Sequence, residues 1–267
     1  MERIAVISDI HANLVALEAV LEDIKRRKID RIFCLGDIVM KGASPCEVVD
    51  IIRKKCEIVV KGNCDELVAN APEESKSRKW YKDKLGKERI EYLDKLPMYQ
   101  DIYMSGSYIR MFHATKNDLF NRIFDIDTIE KKKILFEEEK GKEPDIVLYG
   151  DIHKQYMQKL QNKTIINVGS VGNVVEFPNY DETITNMEET LQAYYCILEG
   201  EYKSKEKSAI AIQFVRVPYD IEKEITLAKK NNIFHLEKYI EELTTARYCP
   251  RLKKEGKEKH EFKNNLF

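Results

Sequence analysis

The first third of the chain alternates short apolar runs with amphipathic runs, and this alternation limits the possible folds more than any other feature. The runs "RIAVISD", "RIFCLGD" and "CEIVVKGN" predict strands, while "NLVALEAVLEDIKRRK" and "PCEVVDIIRKK" have the apolar spacing of helices. Asn13 is placed to cap the first helix, and Pro45 lies in the first turn of the second. Strands and helices in this order predict a parallel sheet covered by helices, and therefore an α/β fold.

Downstream, the pattern changes to strands in closer succession. The segment 65–96 is polar with a helical pattern, "YQDIYMSG" and "YIRMFHA" predict strands, and a charged helix is expected over 128–139 before the strand "DIVLYG". The runs "YMQKLQ", "KTIINVGS", "AYYCILEG" and "IAIQFVRV" are typical of a meander, which favours an antiparallel second sheet. Two helices follow, "DIEKEITLAKKNN" and "HLEKYIEELTTAR". We expect one domain over 1–250 and a charged, disordered tail over 251–267.

The composition argues against several classes of protein. The 45 basic and 46 acidic side chains give a net charge of -1, so nothing favours nucleic acid or an anionic membrane as a partner. No apolar run approaches the roughly 18 residues that a membrane span needs, and "MERIAVISDIHANL" does not have the pattern of a signal peptide. The six cysteines are scattered without a CxxC pair, which favours free thiols in a reducing compartment. We therefore expect a cytoplasmic protein.

Polar side chains follow the predicted strands at the point where each strand ends. The carboxyl ends of parallel strands share one edge of a sheet, and open α/β sheets bind their ligands there. We therefore expect these side chains to converge, although two of the strands that supply them come later in the chain. Seven of the residues carry nitrogen or oxygen donors: Asp9, His11, Asp37, Asn63, His113, Asp151 and His153.

This donor set favours a metal centre. Carboxylate, imidazole and amide donors suit Mn, Fe, Zn or similar divalent ions better than a soft thiolate site would. Seven ligands are too many for one catalytic ion that keeps a water, but they suit two ions that share a bridging carboxylate. Taken singly, each Asp or Asn can equally be a turn residue, and a lone His can be a hydrogen-bonded core residue. Their joint occurrence at strand ends favours the metal interpretation.

The motifs "DIH", "GDIVMKG", "GNCD", the lone His113 and "GDIH" follow one another in an order that resembles the calcineurin-like metallophosphoesterase family. The family signature is D-x-H, G-D-x-x-x-x-G, G-N-H/C-D, an isolated His and G-H-x-H, and the match runs from residue 4 to about 173. Within the family, "DIHANLVALEAVL" and the helix-rich insert look most like bacterial diadenosine-tetraphosphatase-like phosphoesterases. The resemblance implies a four-layer α/β/β/α sandwich with a helical cap, formed by residues near 65–98 and 115–140.

The resemblance also assigns roles to the motif residues. The first ion would be held by Asp9, His11, Asp37 and His153, and the second by Asp37, Asn63, His113 and Asp151. Asn63, Cys64 and Asp65 of "GNCD" would form the catalytic set. Gly169 and Ser170 of "NVGSVGN" lie in a Gly-rich turn that can present backbone N–H groups to phosphate. The two divalent ions would be Mn, Fe or Mg, with Zn or Ni as further possibilities.

Two positions depart from the family pattern. Asp151 stands where the family has the first His of G-H-x-H, so the two "DIH" stretches are convergent ligand motifs and not a repeat. Its carboxylate adds negative charge and a hard oxygen donor, which favours Mn, Mg or Fe over Zn at the second site. Cys64 stands where many relatives carry a His that protonates the leaving group. A thiol is a weaker proton donor, which favours substrates with stable leaving anions, although Cys64 can also be an inert small residue.

Two hypotheses about function follow. The first is a dinuclear hydrolase of phosphoanhydride or phosphodiester bonds in nucleotides such as dinucleoside polyphosphates, acting through a metal-bridging hydroxide. Its partner would be a phosphorylated small molecule. The second is a metal-binding scaffold on the same fold, for which Asp151 and Cys64 would mark a decayed site. Lys61 and Arg122 could contact phosphate in the first hypothesis, but a solvated surface is the default for both.

Overall fold

The computed structural model describes residues 1–70, 76–175 and 191–247, and within these ranges two five-stranded sheets pack face to face. The first sheet has the order β10-β9-β1-β2-β3, with β1 (Glu2–Ile7), β2 (Arg31–Cys34), β3 (Ile58–Val59), β9 (Ala193–Gly200) and β10 (Ala211–Val217). The second has the order β4-β5-β6-β8-β7, with β4 (Tyr99–Met104), β5 (Ser107–Phe112), β6 (Ile146–Tyr149), β7 (Gln155–Leu160) and β8 (Lys163–Val168).

Helices cover the outer faces of both sheets. The outer face of the first sheet packs against α1 (Leu14–Arg26), α2 (Pro45–Lys55), α3 (Asn63–Asn70) and α4 (Lys76–Asp94). Beside them, α6 (Ile221–Asn231) and α7 (Leu236–Thr245) bury a smaller apolar cluster. The second sheet is covered by the short α5 (Ile129–Lys132) and a 3-10 turn, Lys133–Phe136. The four-layer α/β/β/α arrangement expected from the sequence is confirmed.

The central strand β1 is buried on both faces. In β1, Ile4 and Val6 point between the sheets, while Ala5 and Ile7 point toward the helices, as the two-residue period of a strand requires. Each large apolar side chain buried in this way contributes about 1.5–3 kcal/mol of transfer free energy. The sandwich therefore holds the carboxyl end of β1 in a fixed position.

Several predictions of local structure are confirmed. β1 pairs with β2, and β2 with β3, in parallel. The Asn13 side chain caps α1, since its Oδ1 accepts the N–H of Ala16 at 3.0 Å. The five cysteines among the described residues are free thiols, as expected. No helix within the described ranges is both long and apolar enough to cross a bilayer. Cys249 and the tail over 251–267 lie outside the described residues.

The expected hairpin pairs β7–β8 and β9–β10 are antiparallel, but the expectation of an antiparallel second sheet formed by all four strands is wrong. β6 pairs in parallel with both β5 and β8, and β9 and β10 belong to the first sheet. The backbone is left-handed at Asp151 and His153, directly after β6. These residues turn the chain away from β6, so the next strand, β7, does not pair with it. The edge of β6 is therefore left open for β8, and β7 pairs only with β8.

The predicted helix over 128–139 is also too long. It consists of α5 and the 3-10 turn, and the helical conformation ends before Glu137. Arg110 is fully buried beneath this segment, and its guanidinium needs acceptors. One of these is the Glu137 carbonyl, which accepts a hydrogen bond from Arg110 and draws the chain out of the helix.

Glu224 makes the stability of this fold depend on pH. Its side chain is buried in α6, accepts hydrogen bonds from the Tyr239 hydroxyl and the Ala43 N–H, and has one oxygen without a partner. Burial raises the pKa of Glu224 to about 7. Because the folded state then binds a proton more tightly than the unfolded chain, stability is greatest below the ordinary Glu pKa and falls as the pH rises toward 7.

We expect Glu224→Gln to remove this slope and to raise the free energy of unfolding at pH 8 by about 1–3 kcal/mol. Urea unfolding at pH 5 and pH 8 measures the effect. Glu222→Gln, at an exposed position of the same helix, is the matched control. A Glu224→Gln variant whose stability falls with pH as steeply as the wild type would contradict the assignment.

Candidate metal centre

The loops after β1, β2 and β3 meet at one edge of the first sheet. The Asp9 N–H donates to the Gly36 carbonyl at 3.0 Å, and the His11 N–H donates to the Asp37 carbonyl at 2.9 Å. The third loop fits against the second only because it carries a glycine. A Cβ on Gly62 would lie 2.1 Å from the Asp37 nitrogen. The convergence expected from the strand ends is therefore present.

The backbone is left-handed at most of the predicted ligands. This conformation costs a residue other than glycine about 1–3 kcal/mol, so it persists only where the surrounding structure enforces it. The sharp turns that it produces aim consecutive side chains at the same edge of the sheet. Five predicted ligands have a φ between +50° and +66°: Asp9, His11, Asp37, Asp151 and His153.

One group of candidate ligands consists of Asp9, His11 and His153. Their donor atoms all lie within 4.8 Å of one another, and all three side chains are buried. The Nε2 atoms of His11 and His153 are 3.0 Å apart, and Asp9 Oδ1 lies 3.2 Å from His153 Nε2. His153 Nδ1 donates to the Asn173 carbonyl, which leaves Nε2 as the nitrogen for ligation.

A second group forms around Asp37 and His113. Asp37 Oδ1 lies 3.3 Å from His113 Nε2, and His113 Nδ1 donates to the Leu35 carbonyl at 2.9 Å. The Asn63 Oδ1 lies 2.8 Å from His113 Nε2, and rotation of this amide would let its nitrogen donate to both Asp37 and His113 Nε2. Asp37 Oδ2 also lies 3.7 Å from His11 Nε2. Asp37 therefore contacts ligands of both groups, as a bridging carboxylate would.

The buried carboxylates of this cluster are stabilised by nearby positive charge. Burial opposes the charge of Asp37, but His113 and His11 hold the pKa of this carboxyl well below its usual range. Burial alone would lower the pKa of His113, whereas the Asp37 carboxylate raises it to about 10. A divalent ion would take over the role of the His113 proton, because ligation requires the neutral imidazole.

The residues present fit a pair of divalent ions. Asp9 Oδ1 and His11 Nδ1 are buried without a hydrogen-bond partner. A buried polar atom left in this state costs about 1–3 kcal/mol, and ligation by Asp9 would remove part of that cost. The nitrogen and oxygen donors suit Mn, Fe, Zn or similar ions.

Comparison with known proteins agrees with this geometry. The family model described as the calcineurin-like phosphoesterase superfamily domain matches residues 2–189. The chain belongs to this superfamily. Its members are metal-dependent hydrolases of phosphoesters, so the chain is assigned to the same class of enzyme.

The chain also resembles individual relatives. It is 34% identical over 252 residues to an uncharacterized protein of Methanocaldococcus jannaschii, a match that spans 86% of this chain and 93% of the relative. The structure of a metallophosphoesterase from Sphaerobacter thermophilus has a TM-score of 0.69 at 24% identity, covering 91% of this chain and 99% of that one. A hypothetical protein from Pyrococcus horikoshii OT3 has a TM-score of 0.71 at 21% identity, covering 93% and 100%. These two structures support the fold.

Asp151 is paired with Arg122 in this phosphoesterase. The Arg122 guanidinium donates to both carboxylate oxygens, at 2.9 Å and 2.7 Å. Asp151 Oδ1 lies 3.8 Å from His113 Nε2, but Asp151 belongs to none of the ligand groups found among the described residues. Its role as a ligand stays a prediction. The Arg122 pairing was missed from the sequence, where a solvated surface was the default.

Two members of the catalytic set expected at "GNCD", Asp65 and Cys64, form hydrogen bonds with the loop that carries Asp37. Asp65 accepts the N–H groups of Ile38 and Gly62, at 2.9 Å and 3.0 Å, and so joins the loops after β2 and β3. Burial, aided by Asp37, raises the pKa of Asp65 to about 7. The Cys64 N–H donates to Asp37 at 2.8 Å, and burial raises the pKa of its thiol well above the usual range. A direct catalytic role for these residues stays a prediction.

The "NVGSVGN" loop supports Asp9 from the side of the second sheet. The Ser170 hydroxyl donates to the Asp9 carbonyl at 2.8 Å, and the Gly172 N–H donates to the same carbonyl at 2.9 Å. The Gly169 N–H is bound to the Asn167 side chain. These contacts hold the first ligand loop, and the phosphate-binding role expected for Gly169 and Ser170 stays a prediction.

A pocket opens above the ligands, and its walls come from distant parts of the chain. One wall contains Leu67 and Tyr81 of α3 and α4, and another contains Arg122 and Phe124. A further wall comes from α7 and the two residues before it: Phe234, His235, Lys238, Tyr239 and Glu242. The α7 wall could not be predicted from the sequence, because the amphipathic pattern of this helix predicts only packing.

Asp37→Asn tests the bridging position. We expect the variant to bind both ions at least about tenfold more weakly and to lose most of its activity, because one change removes charge from both groups of ligands. Calorimetric titration and elemental analysis measure the metal, and a chromogenic diester reports turnover. Asp50→Asn, on the surface of α2, is the control. Two bound ions and full turnover in Asp37→Asn would show that Asp37 does not bridge.

Proposed function

We propose that this phosphoesterase is a dinuclear enzyme that hydrolyses phosphoanhydride or phosphodiester bonds of nucleotides such as dinucleoside polyphosphates. The observation that carries the proposal is the position of Asp37 between two groups of buried ligands at the floor of a pocket. One ion would be held by Asp9, His11 and His153 together with Asp37. The other would be held by Asp37, Asn63 and His113, with Asp151 as its remaining ligand.

The bound ions would supply a Lewis acid and an activated water. The chain itself provides the acceptors that orient the ligands. The Asn173 and Leu35 carbonyls fix the rings of His153 and His113, and Asp65 fixes the loop of Asp37. With hard oxygen donors at Asp37, Asn63 and Asp151, Mn, Fe or Mg are the favoured ions, and Zn or Ni are further candidates.

The pocket walls support a nucleotide as the substrate. Phe124 and Phe234 line the pocket with aromatic surface, against which a base can pack. Arg122, Lys41 and Lys238 place cationic groups along the same pocket, where they pair with Asp151 and Glu242, and a chain of phosphates would compete with these carboxylates for them. We propose that α3, α4 and the 115–140 segment act as the cap that selects the substrate. Three α4 side chains also belong to the main core, so substitutions that face the pocket test this role better than a deletion does.

Cys64 limits which leaving groups the enzyme can use. It lines the pocket, and burial keeps its thiol protonated, so it is a weak acid beside the ligands. A nucleotide phosphate or a phenolate leaves as a stable anion without a strong proton donor, whereas an alkoxide does not. The site therefore favours phosphoanhydrides and activated diesters. The free thiols within the described residues also support a reducing cytoplasm as its location.

A substrate panel tests the proposal. We expect the Mn²⁺-loaded protein to cleave dinucleoside polyphosphates and bis(p-nitrophenyl) phosphate faster than simple alkyl phosphomonoesters, by about 100-fold or more. Colorimetric release of nitrophenolate and chromatography of nucleotides measure the rates. Cys64→His is the comparison variant, and it should narrow this gap by speeding up the alkyl esters. Two bound ions with no turnover of any substrate would favour the scaffold hypothesis.

Asp151→His tests the second ligand set. We expect the substitution to tighten the second ion about tenfold and to shift its preference toward Zn, because an imidazole replaces a hard carboxylate that Arg122 already engages. Titrations of Mn²⁺ and Zn²⁺ into both proteins decide the question. Unchanged affinity and selectivity would mean that position 151 does not contact the ion.

A further inference from the structure

Arg122 and Asp151 form a bidentate ion pair beside the second group of ligands. The Arg122 Nε donates to Asp151 Oδ2 at 2.9 Å, and Nη2 donates to Oδ1 at 2.7 Å. Two parallel charge-assisted hydrogen bonds make this the strongest geometry for an arginine and a carboxylate. The Asp151 side chain is only 3% exposed, so water competes weakly for it.

The same carboxylate lies within reach of the second ion. Asp151 Oδ1 is 3.8 Å from His113 Nε2. Two ligands that each lie about 2.0–2.2 Å from one ion can be separated by this distance. Yet Asp151 is in none of the ligand groups among the residues that the structure describes. Asp151 therefore lies between the Arg122 guanidinium and the position that a second divalent ion would occupy.

We infer that Arg122 competes with the second divalent ion for Asp151, and that this competition makes the second ion the weakly held one of the pair. The inference rests on the metal centre of the proposed function and adds the residue that sets its occupancy. A carboxylate engaged by two charge-assisted hydrogen bonds donates less charge to an ion.

The two residues act as a unit. Aspartate adds one negative charge where a neutral histidine would stand, and arginine adds one positive charge beside it. The net charge of the site is therefore that of a centre with a neutral imidazole, while the donor atoms are turned toward the guanidinium. Neutral histidine presents only one acceptor, so it cannot bind both arms of the arginine. The effect of Arg122 on the ion therefore depends on the carboxylate at position 151.

Calorimetric titration with Mn²⁺ in the absence of substrate tests the inference. We expect Arg122→Gln to leave the tighter binding event unchanged and to strengthen the weaker one about tenfold or more. Arg122→Lys keeps the positive charge but lacks the two parallel N–H donors of the guanidinium, so the affinity of its weaker binding event should be intermediate. Arg89→Gln removes a similar bidentate pair with Asp50 on the surface, with distances of 2.9 Å and 2.6 Å, and should change neither event.

A double-mutant cycle with Asp151→His separates the mechanism from simple charge repulsion. In the Asp151→His background, Arg122→Gln should alter the weaker event by no more than about twofold. An equal gain in both backgrounds would overturn the inference, and so would an unchanged or weakened second ion in Arg122→Gln. Failure to detect a second ion in any variant would overturn it as well. Two bound ions without hydrolysis of any substrate would count against the proposed function alone.

Discussion

Two buried carboxylates, Asp9 and Asp37, lie at the same edge of one sheet, and the rest of the site follows from the need to balance their charge. Asp9 is fully buried, and only 3% of Asp37 is exposed. His153 holds the pKa of Asp9 down against burial, and His113 does the same for Asp37. An arrangement of this kind is stable only with positive charge close by, from protonated imidazoles or from metal ions. The histidines at this edge can provide this charge in two ways: as a protonated imidazole, as at His113, or as ligands that bind a metal ion.

The backbone around these carboxylates is strained, and the sandwich provides the rigidity that maintains it. Left-handed residues occur in the loops after β1, β2 and β6, and glycines at 36 and 62 allow the loops after β2 and β3 to touch. Asp65 and Ser170 tie the loops to one another through hydrogen bonds. Ligands held on the ends of buried strands keep their positions before any ion binds, which is the preorganisation that catalysis by a metal centre requires.

One departure from the family pattern, Asp151, lies where the second sheet meets the first. Asp151 follows β6 and forms a bidentate ion pair with Arg122, which lies in the segment between β5 and α5. Lys41 of the β2 loop donates to Glu242 of α7 at 3.1 Å, so the far wall of the pocket is tied to a ligand loop by an ion pair. The metal centre therefore shares its charge balance with the pocket walls, and changes in the walls can affect both the substrate and the ions.

The sequence by itself determined strands β1, β2 and β3, helices α1 and α2, and most of the side chains that converge at the candidate site. Strand period, Asn13 as a helix cap and a polar residue after each strand are local signals, and parallel strands must end at one edge. Only the tertiary structure decided the partners of β8 and β9, the pairing of Arg122 with Asp151, and the place of α7 over the pocket. These depend on contacts between segments far apart in the chain. No local propensity encodes such contacts, because an exposed amphipathic helix and a pocket wall have the same sequence period, and an arginine in a loop carries no sign of the carboxylate that it will meet.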